Sequence, residues 1–350
     1  MIILGIESTA HTFGIGLIKA NSKGRIKVLS NVREMYTTKK GGIIPFEAGK
    51  HHKKLCKKVY DKALREAEIS EKEISLIAYS SSPGLPPCLI VGRDFAQELA
   101  LKLKVPLVGV NHCIAHLEIG RSLKNGLDKI QREIFGANTQ IIVFINGKYR
   151  IFGETLDMGI GNFIDSFGRY IGLGFPAGPK IEKLALKGKN LIKLPYLVKG
   201  MDVAFSGLLT NLKQKSDSKK FRIDDLCFSL QETAFAMLIE TAERAMAHTG
   251  KKELLLGGGV ACNKRLQQMA KIMCKERKAK CFVLPNEFNV DNAIMIADLG
   301  LKMFKAGIKS NVKKVDIYPY QRTDDIKVLW RSQISRSATS QLRGGGVTWR

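Results

Sequence analysis

Ile2-Ile-Leu-Gly-Ile-Glu7, Phe13-Gly-Ile-Gly-Leu-Ile-Lys19 and Ile26-Lys-Val-Leu-Ser-Asn-Val32 are three apolar or alternating runs in close succession, and they decide the fold. Each has a strand's length and β-branched content, and Asn21-Ser-Lys-Gly24 is a turn signal between the second and third. The period then lengthens. Residues 46–68 read as a basic amphipathic helix, 74–80 as a strand, 89–104 as a helix and 106–110 as a short buried strand. Three strands followed by helix, strand, helix, strand suit a mixed sheet with helices packed on it.

The same order recurs downstream. Residues 139–145 and 148–154 form a hairpin through Asn146-Gly147, a favoured two-residue turn. Helices are expected over 160–173, 179–187, 225–249, 264–278 and 293–306, with strands at 253–256 and 281–284. Two such series predict a duplicated α/β architecture with a cleft between lobes, where ligands sit beyond the carboxyl ends of strands. One stretch departs from it: Asp128-Lys-Ile-Gln-Arg-Glu-Ile-Phe135, where the second series should open, is too charged for a central strand. Residues 331–350 contain no acid and no regular period, and read as a disordered tail outside the fold.

With 350 residues, 45% hydrophobic and 25% charged, the chain has room for two domains and a sizeable core. No apolar run approaches the roughly 18 residues of a membrane span. The N-terminus lacks the basic start and cleavage site of a signal peptide, so a cytoplasmic protein with no membrane partner is expected. Seven cysteines without a Cys-x-x-Cys pair read as reduced thiols rather than a structural zinc site or disulfide framework. The net charge of +25, from 57 basic and 32 acidic residues, points to a polyanionic partner, nucleic acid first. General lysine enrichment of the thermophilic kind is the bland alternative. Lysines concentrate in 50–72 and in 187–222, and either cluster alone reads more simply as a solvated face.

The chemistry-bearing residues are few. His112 and His116, in Asn111-His-Cys-Ile-Ala-His116, are four apart, with residues 117–121 reading as helix, and on a helix they share a face that could grip one metal ion. Cys113 stands where a zinc protease has its catalytic Glu, which excludes that chemistry. Asp291, just before a helix, reads either as an N-cap or as the carboxylate completing a His/His/Asp set suited to zinc or iron. Asp165 and Glu182, in polar turns, could accept hydrogen bonds from a ribose. Four turns could let backbone amides meet an anion: Glu7-Ser-Thr-Ala-His-Thr12, Gly136-Ala-Asn-Thr139, Phe205-Ser-Gly-Leu208 and Gly257-Gly-Gly-Val-Ala-Cys-Asn263. Neither a Walker-type loop nor a dinucleotide fingerprint is present.

Together these motifs resemble the universal tRNA threonylcarbamoyltransferase family in its archaeal and eukaryotic form, the catalytic subunit of the KEOPS complex and a relative of bacterial TsaD. The carrying residues are Gly5–Thr12, Asn111–His116, Phe152-Gly-Glu-Thr-Leu-Asp157, Gly161-Asn-Phe-Ile-Asp165, Gly174-Phe-Pro-Ala-Gly-Pro-Lys180, Gly257–Asn263 and Asp291-Asn-Ala293. The resemblance spans Ile2 to about Trp330. It implies an actin-like ATPase (ASKHA) fold of two ribonuclease-H-like lobes: 1–118, completed by the helix at 293–306, and 119–292. It implies transfer of a threonylcarbamoyl group from threonylcarbamoyl-AMP to the exocyclic amine of the adenosine beside the tRNA anticodon. One divalent metal, iron or zinc, would be held by His112, His116 and Asp291. Asp165, Gly178, Glu182 and Asn263 would bind the nucleotide, ATP or the acyl-adenylate. The implied partners are tRNA and KEOPS subunits, including its small kinase.

The family's Tyr-Val-Ser-Gly-Gly-Asn segment is replaced here by Glu133-Ile-Phe-Gly-Ala-Asn138. The family's tyrosine is a metal ligand, so Glu133 falls at a fourth ligand position, while Glu133, Ile134, Phe135, Gly136 and Ala137 together stand at its phosphate-binding loop. Phe135 offers no hydroxyl to a phosphate, and Ala177 replaces the family's usual glycine. These departures motivate a rival reading, a catalytically weakened nucleotide-binding scaffold of the same complex. A small-molecule kinase or ATPase of the same fold is the other rival, and it has no use for the His112/His116 pair.

Overall fold

The computed structural model describes residues 1–22, 25–38, 41–122, 132–134 (as a strand backbone) and 139–331. The N-terminal sheet has the order β3-β2-β1-β4-β5, from β1 (Ile2–Glu7), β2 (Thr12–Ala20), β3 (Ile26–Met35), β4 (Ile74–Ser82) and β5 (Leu107–Asn111). β1, β2 and β3 are antiparallel neighbours, while β4 and β5 run parallel to β1. Both faces are covered, so β1 is an unbroken apolar run instead of an alternating one. Ile2, Leu4 and Ile6 pack toward α1 (Pro45–Ala67) and α2 (Pro86–Leu103), with Tyr60, Ala96 and Leu99. Ile3, on the opposite face, joins Ile114 and Leu117 of α3 (His112–Ser122) and Ile294 of α10 (Ala293–Lys305).

The C-terminal sheet has the order β12-β11-β6-β7-β8, from β6 (Arg132–Ile134), β7 (Gln140–Ile145), β8 (Lys148–Glu154), β11 (Glu253–Leu256) and β12 (Lys280–Val283). Three antiparallel strands followed by two parallel ones repeat the first sheet's topology, as the duplicated order in the sequence predicts. Its core forms with α4 (Ile160–Tyr170), α5 (Gly178–Ala185), α6 (Ser206–Asp217), α7 (Ile223–Thr249) and α8 (Lys264–Glu276). A short hairpin of β9 (Val198–Lys199) and β10 (Asp202–Val203) precedes α6.

The charged stretch 128–135 corrects one expectation. Its residues Arg132–Ile134 do form the central strand: Glu133 pairs with Ile142, and Ile134 with both Ile141 and Leu256. Ladder bonds on both sides outweigh a sequence with poor strand preference. The remainder of that stretch lies outside the described residues, as does the expected tail from 332 onward.

α10 follows β12 in the chain yet lies across β1, β2, β4 and β5 and against α3. Gly5 permits this: a Cβ there would stand 2.0 Å from the Ala293 carbonyl oxygen and 2.7 Å from the Ala297 nitrogen. Among the described residues no helix is long and apolar enough to cross a membrane.

Candidate metal centre and nucleotide site

α3 begins at once after β5, because Asn111 turns its side-chain carbonyl to accept from the Ile114 amide at 3.1 Å. The helix therefore starts at His112, earlier than its sequence pattern suggests, and carries both histidines one turn apart. Their rings lie 4.7 Å apart and nearly perpendicular, and both are buried. The short α9 (Asn286–Asn289) returns the chain to this point. The N-cap of α10 is Asn292, which accepts from the Met295 amide, so the capping role considered for Asp291 is not the one it has. Asp291 Oδ1 instead lies 3.4 Å from Nε2 of His112 and 3.4 Å from Nε2 of His116. Ligand atoms about 2.1 Å from a tetrahedral ion stand about 3.4 Å from one another, so both distances from Asp291 already suit a metal.

Glu7, a carboxylate ending an otherwise apolar buried strand, completes the arrangement. Its Oε1 accepts from the Thr9 amide at 2.8 Å and the Thr9 hydroxyl at 2.5 Å, and its Oε2 accepts from His112 Nδ1 at 2.9 Å. With Nδ1 committed to Glu7, His112 turns Nε2 toward Asp291, as a carboxylate partner does for a metal-ligating imidazole. Burial opposes charge on His112, but Glu7 and Asp291 outweigh it and hold its pKa well above the usual histidine value. Asp291 is likewise held well below the carboxylate range by His112 in spite of its burial, whereas burial lowers His116. Two carboxylates thus flank the His112 ring, and a divalent cation at its Nε2 would balance the charge of Asp291.

The loop from Ser8 to His11 is held on all sides. Ser8 N donates to Ser80 Oγ at 3.0 Å, Leu85 N to the Thr9 carbonyl at 2.7 Å, His52 Nε2 to the Ala10 carbonyl at 3.0 Å and Tyr36 N to the His11 carbonyl at 2.7 Å. His11 itself reaches within 3.9 Å of Asp291 Oδ2 and packs edge-on against Phe175. Behind the histidines, α3 is anchored by buried Glu118, which meets Lys302 at 3.0 Å, Arg331 at 2.8 Å and the Tyr149 hydroxyl at 2.7 Å. Burial disfavours that charge, yet Lys302 and Arg331 hold the carboxyl well below its ordinary range.

A second group gathers on the C-terminal half. Asp165, on α4, accepts from the Ala177 amide at 2.7 Å, next to Gly178 at the start of α5, and burial raises its pKa. Glu182, one turn along α5, accepts from the Lys264 amide at 2.7 Å. Asn263 caps α8 through the Arg265 and Leu266 amides and donates to Gln231 at 2.6 Å. Gly258, at φ 86°, makes the turn from β11 toward that cap. Asp165, Gly178, Glu182 and Asn263 are thereby linked through α4, α5 and α8. Glu133 and Ile134 lie in β6; the Glu133 side chain, Phe135, Gly136 and Ala137 fall outside the described residues.

Sequence reasoning missed three contributors. Glu7 was signalled by a lone acid in a buried strand, and His11 by its place in the same motif, yet neither was assigned a role. Asp157 occupies the turn expected to meet an anion at 205–208: its carboxylate accepts from the Phe205 and Ser206 amides at 2.7–3.0 Å. That turn is filled from within the chain.

Comparison with known proteins bears on this geometry. A family model described as tRNA N6-adenosine threonylcarbamoyltransferase, TsaD, matches residues 27–298. Proteins of that name from Thermococcus sibiricus and Thermococcus kodakarensis are 52% and 51% identical, each over 94% of this chain and 100% of their own length. A probable bifunctional tRNA threonylcarbamoyladenosine biosynthesis protein from Methanocaldococcus jannaschii is 47% identical over 99% of this chain and 64% of its own. Among solved structures, T. kodakarensis HypF superposes with TM-score 0.58 at 15% identity, over 87% of this chain and 48% of that one. The activator of 2-hydroxyisocaproyl-CoA dehydratase from Clostridium difficile gives TM-score 0.51 at 12% identity, over 89% and 99%. These two share the actin-like ATPase fold with this chain.

Proposed function

Because the chain belongs to the tRNA N6-adenosine threonylcarbamoyltransferase family, acyltransferases that form threonylcarbamoyladenosine in tRNA, we propose a metal-assisted acyl transfer carried out at the site described above. The observation that carries it is the clustering of His112, His116 and Asp291, whose ligand atoms lie within 4.8 Å of one another, with Asp291 Oδ1 3.4 Å from each Nε2. These three residues would hold one divalent ion, iron or zinc, and the N/N/O donor set fits either. When bound, such an ion supplies charge stabilisation to an acyl donor as negative charge develops.

The chain's own residues do the rest. Asp165 and Glu182 accept from ribose hydroxyls of threonylcarbamoyl-AMP, while Gly178 and Asn263 bracket the adenylate. Glu7 holds His112 in one tautomer. The exocyclic nitrogen of the adenosine attacks the carbamoyl carbon, the bond to the phosphate oxygen breaks, AMP departs with the electron pair, and the amine loses one proton. AMP is a competent leaving group, so no covalent nucleophile is required. Cys113, buried with its pKa pushed up by that burial, is a thiol unsuited to one.

In this reading residues 1–118 with 293–306 form one lobe and 119–292 the other. The acceptor is tRNA, the setting cytoplasmic, and the partners are KEOPS subunits including its small kinase. The fused architecture implied by the bifunctional relatives supports a partner of that kind. Glu133 and Phe135, at positions where the family has Tyr and Ser, favour the second reading of a weakened scaffold.

The test is twofold. Metal analysis of the native protein should find about one ion per chain, lost in His116→Ala. Incubation with threonylcarbamoyl-AMP, cognate tRNA and the partner subunits should yield modified adenosine. Nucleotide binding without product would establish the scaffold instead.

A further inference from the structure

We infer that tRNA is held by the basic face of the C-terminal half, along the exit of α5 and over the end of α6, and not by the equally lysine-rich α1. The inference rests on tRNA being the acceptor, as proposed above. The two lysine clusters look alike in sequence and differ in how their charge is spent.

Residues 45–68 hold seven basic and four acidic residues. Three of those acids are paired along the helix: Lys50 with Glu47, Lys57 with Asp61 and Lys62 with Glu66. Spacings of three and four make these ordinary self-neutralising pairs of a solvated helix. Residues 183–222 hold ten basic residues and only Asp202 and Asp217. Both acids are hydrogen-bonded to other groups, and among the described residues neither forms an ion pair with a lysine: Asp202 accepts from the Glu154 amide, and Asp217 from the Tyr170 hydroxyl. Asp225, next in the chain, is spent on the Lys189 and Asn190 amides. Among the described residues, no lysine between 183 and 220 is in an ion pair, and only Arg222 finds an acid, Asp224. Lys183, Lys187, Lys189, Lys193, Lys219 and Lys220 are all exposed.

Placement agrees with charge. α5 starts at Gly178 beside Asp165, and Lys183 and Lys187 follow Glu182 outward from that point. The positive run therefore begins beside the residues proposed to hold the nucleotide, and its later part, 189–192, lies against the start of α7, which Lys219, Lys220 and Arg222 directly precede. Exposed Tyr170 and Tyr196 stand along it, with Lys213 over the Tyr170 ring at 5.1 Å. Unneutralised lysines with interleaved aromatic rings suit a phosphate backbone with unpaired bases near by.

The test compares full-length Lys187→Glu/Lys193→Glu/Lys219→Glu with a control of equal charge change on α1, Lys53→Glu/Lys54→Glu/Lys58→Glu. Binding of cognate tRNA is titrated against salt, without donor or turnover. The first variant should weaken binding on the order of tenfold or more and lower the log–log salt slope by about three, near one per lysine. The control should keep most of the wild-type slope. Equal loss in both variants, or loss only in the α1 variant, would overturn the assignment. So would wild-type tRNA binding by the first variant with loss of an acidic protein subunit in co-purification. If wild-type protein shows no salt-dependent tRNA binding, the functional reading itself fails, a result separable from any difference between the variants.

Discussion

Glu7→Gln is nearly isosteric and tests the tautomer argument. Glu7 Oε1 receives the Thr9 amide at 2.8 Å, a donor that only an oxygen can satisfy. A glutamine must therefore keep its carbonyl there and place its NH2 where Oε2 was, 2.9 Å from His112 Nδ1. An NH2 at that point donates, so Nδ1 becomes the acceptor and the ring proton moves to Nε2, the atom aimed at Asp291. Metal binding then requires either reversal of the tautomer or loss of the Thr9 hydrogen bond. A charge-assisted hydrogen bond of this kind contributes about 1.5–3 kcal/mol, and loss of a carboxylate behind a ligating histidine lowers metal affinity about 10–100-fold. Chelator competition with the purified protein measures it directly, and circular dichroism confirms that the variant is folded. Transfer activity at limiting metal should fall in parallel and recover in part at excess. Wild-type metal affinity in folded Glu7→Gln would refute the role given to Glu7.

Gly5→Ala places a Cβ 2.0 Å from the Ala293 carbonyl, so α10 must shift or the variant unfold; the cost should reach or exceed the roughly 1–3 kcal/mol of ordinary overpacking, read as a lowered Tm, with metal affinity falling because Asp291 leads into that helix. Lys302→Met leaves buried Asp298 without its cation and buried Glu118 with Arg331 alone, and should cost about 3 kcal/mol in urea unfolding; a loss below about 1 kcal/mol would mean the cluster does not hold α3 as described. Burial lowers His52 from 6.5 to about 4, so the folded state resists a proton that the unfolded chain accepts. Its contribution is complete above pH 6.5 and is lost as pH falls toward 4, about 3 kcal/mol in all. His52→Gln should flatten the stability–pH curve in that window, and an unchanged slope would contradict the assignment.

The duplicated order was legible because strand period, helix period and turn residues agree locally in both halves. Ile2–Glu7 and Glu253–Leu256 are short apolar runs bounded by turns, and α7 is long enough to exclude any other element. Arg132–Ile134 was not legible, since its strand state comes from Ile142 and Leu256 on its two sides and not from its own residues. In the site, spacing along one helix revealed His112 and His116, but Glu7 lies 105 residues from His112 and no local pattern relates the two. Asp291 was ambiguous for a physical reason: it and Asn292 are both good caps, and only the folded backbone decides that Asn292 takes that role.

The duplication also accounts for where the proposed metal ligands meet. β5 and β12 are the last strands of two sheets with the same order, and each ends where a helical connection leaves the sheet. His112 is the first residue after β5, and Asp291 lies between β12 and α10, the helix that crosses back to the other sheet. α3 and α10 pack together under the first sheet, so the two equivalent exits are brought to one point. A metal held there would lie on α3 and at the start of α10, both packed against the first sheet, and the connection from β12 reaches it at Asp291. Movement of the second half would reach the site through that connection. A substrate that draws Asp165 and Glu182 toward His11 should therefore tighten metal binding, and by reciprocity the metal should tighten the nucleotide. Titrating a non-hydrolysable acyl-adenylate with and without metal measures that coupling, and identical affinities would show that the two groups of residues act independently.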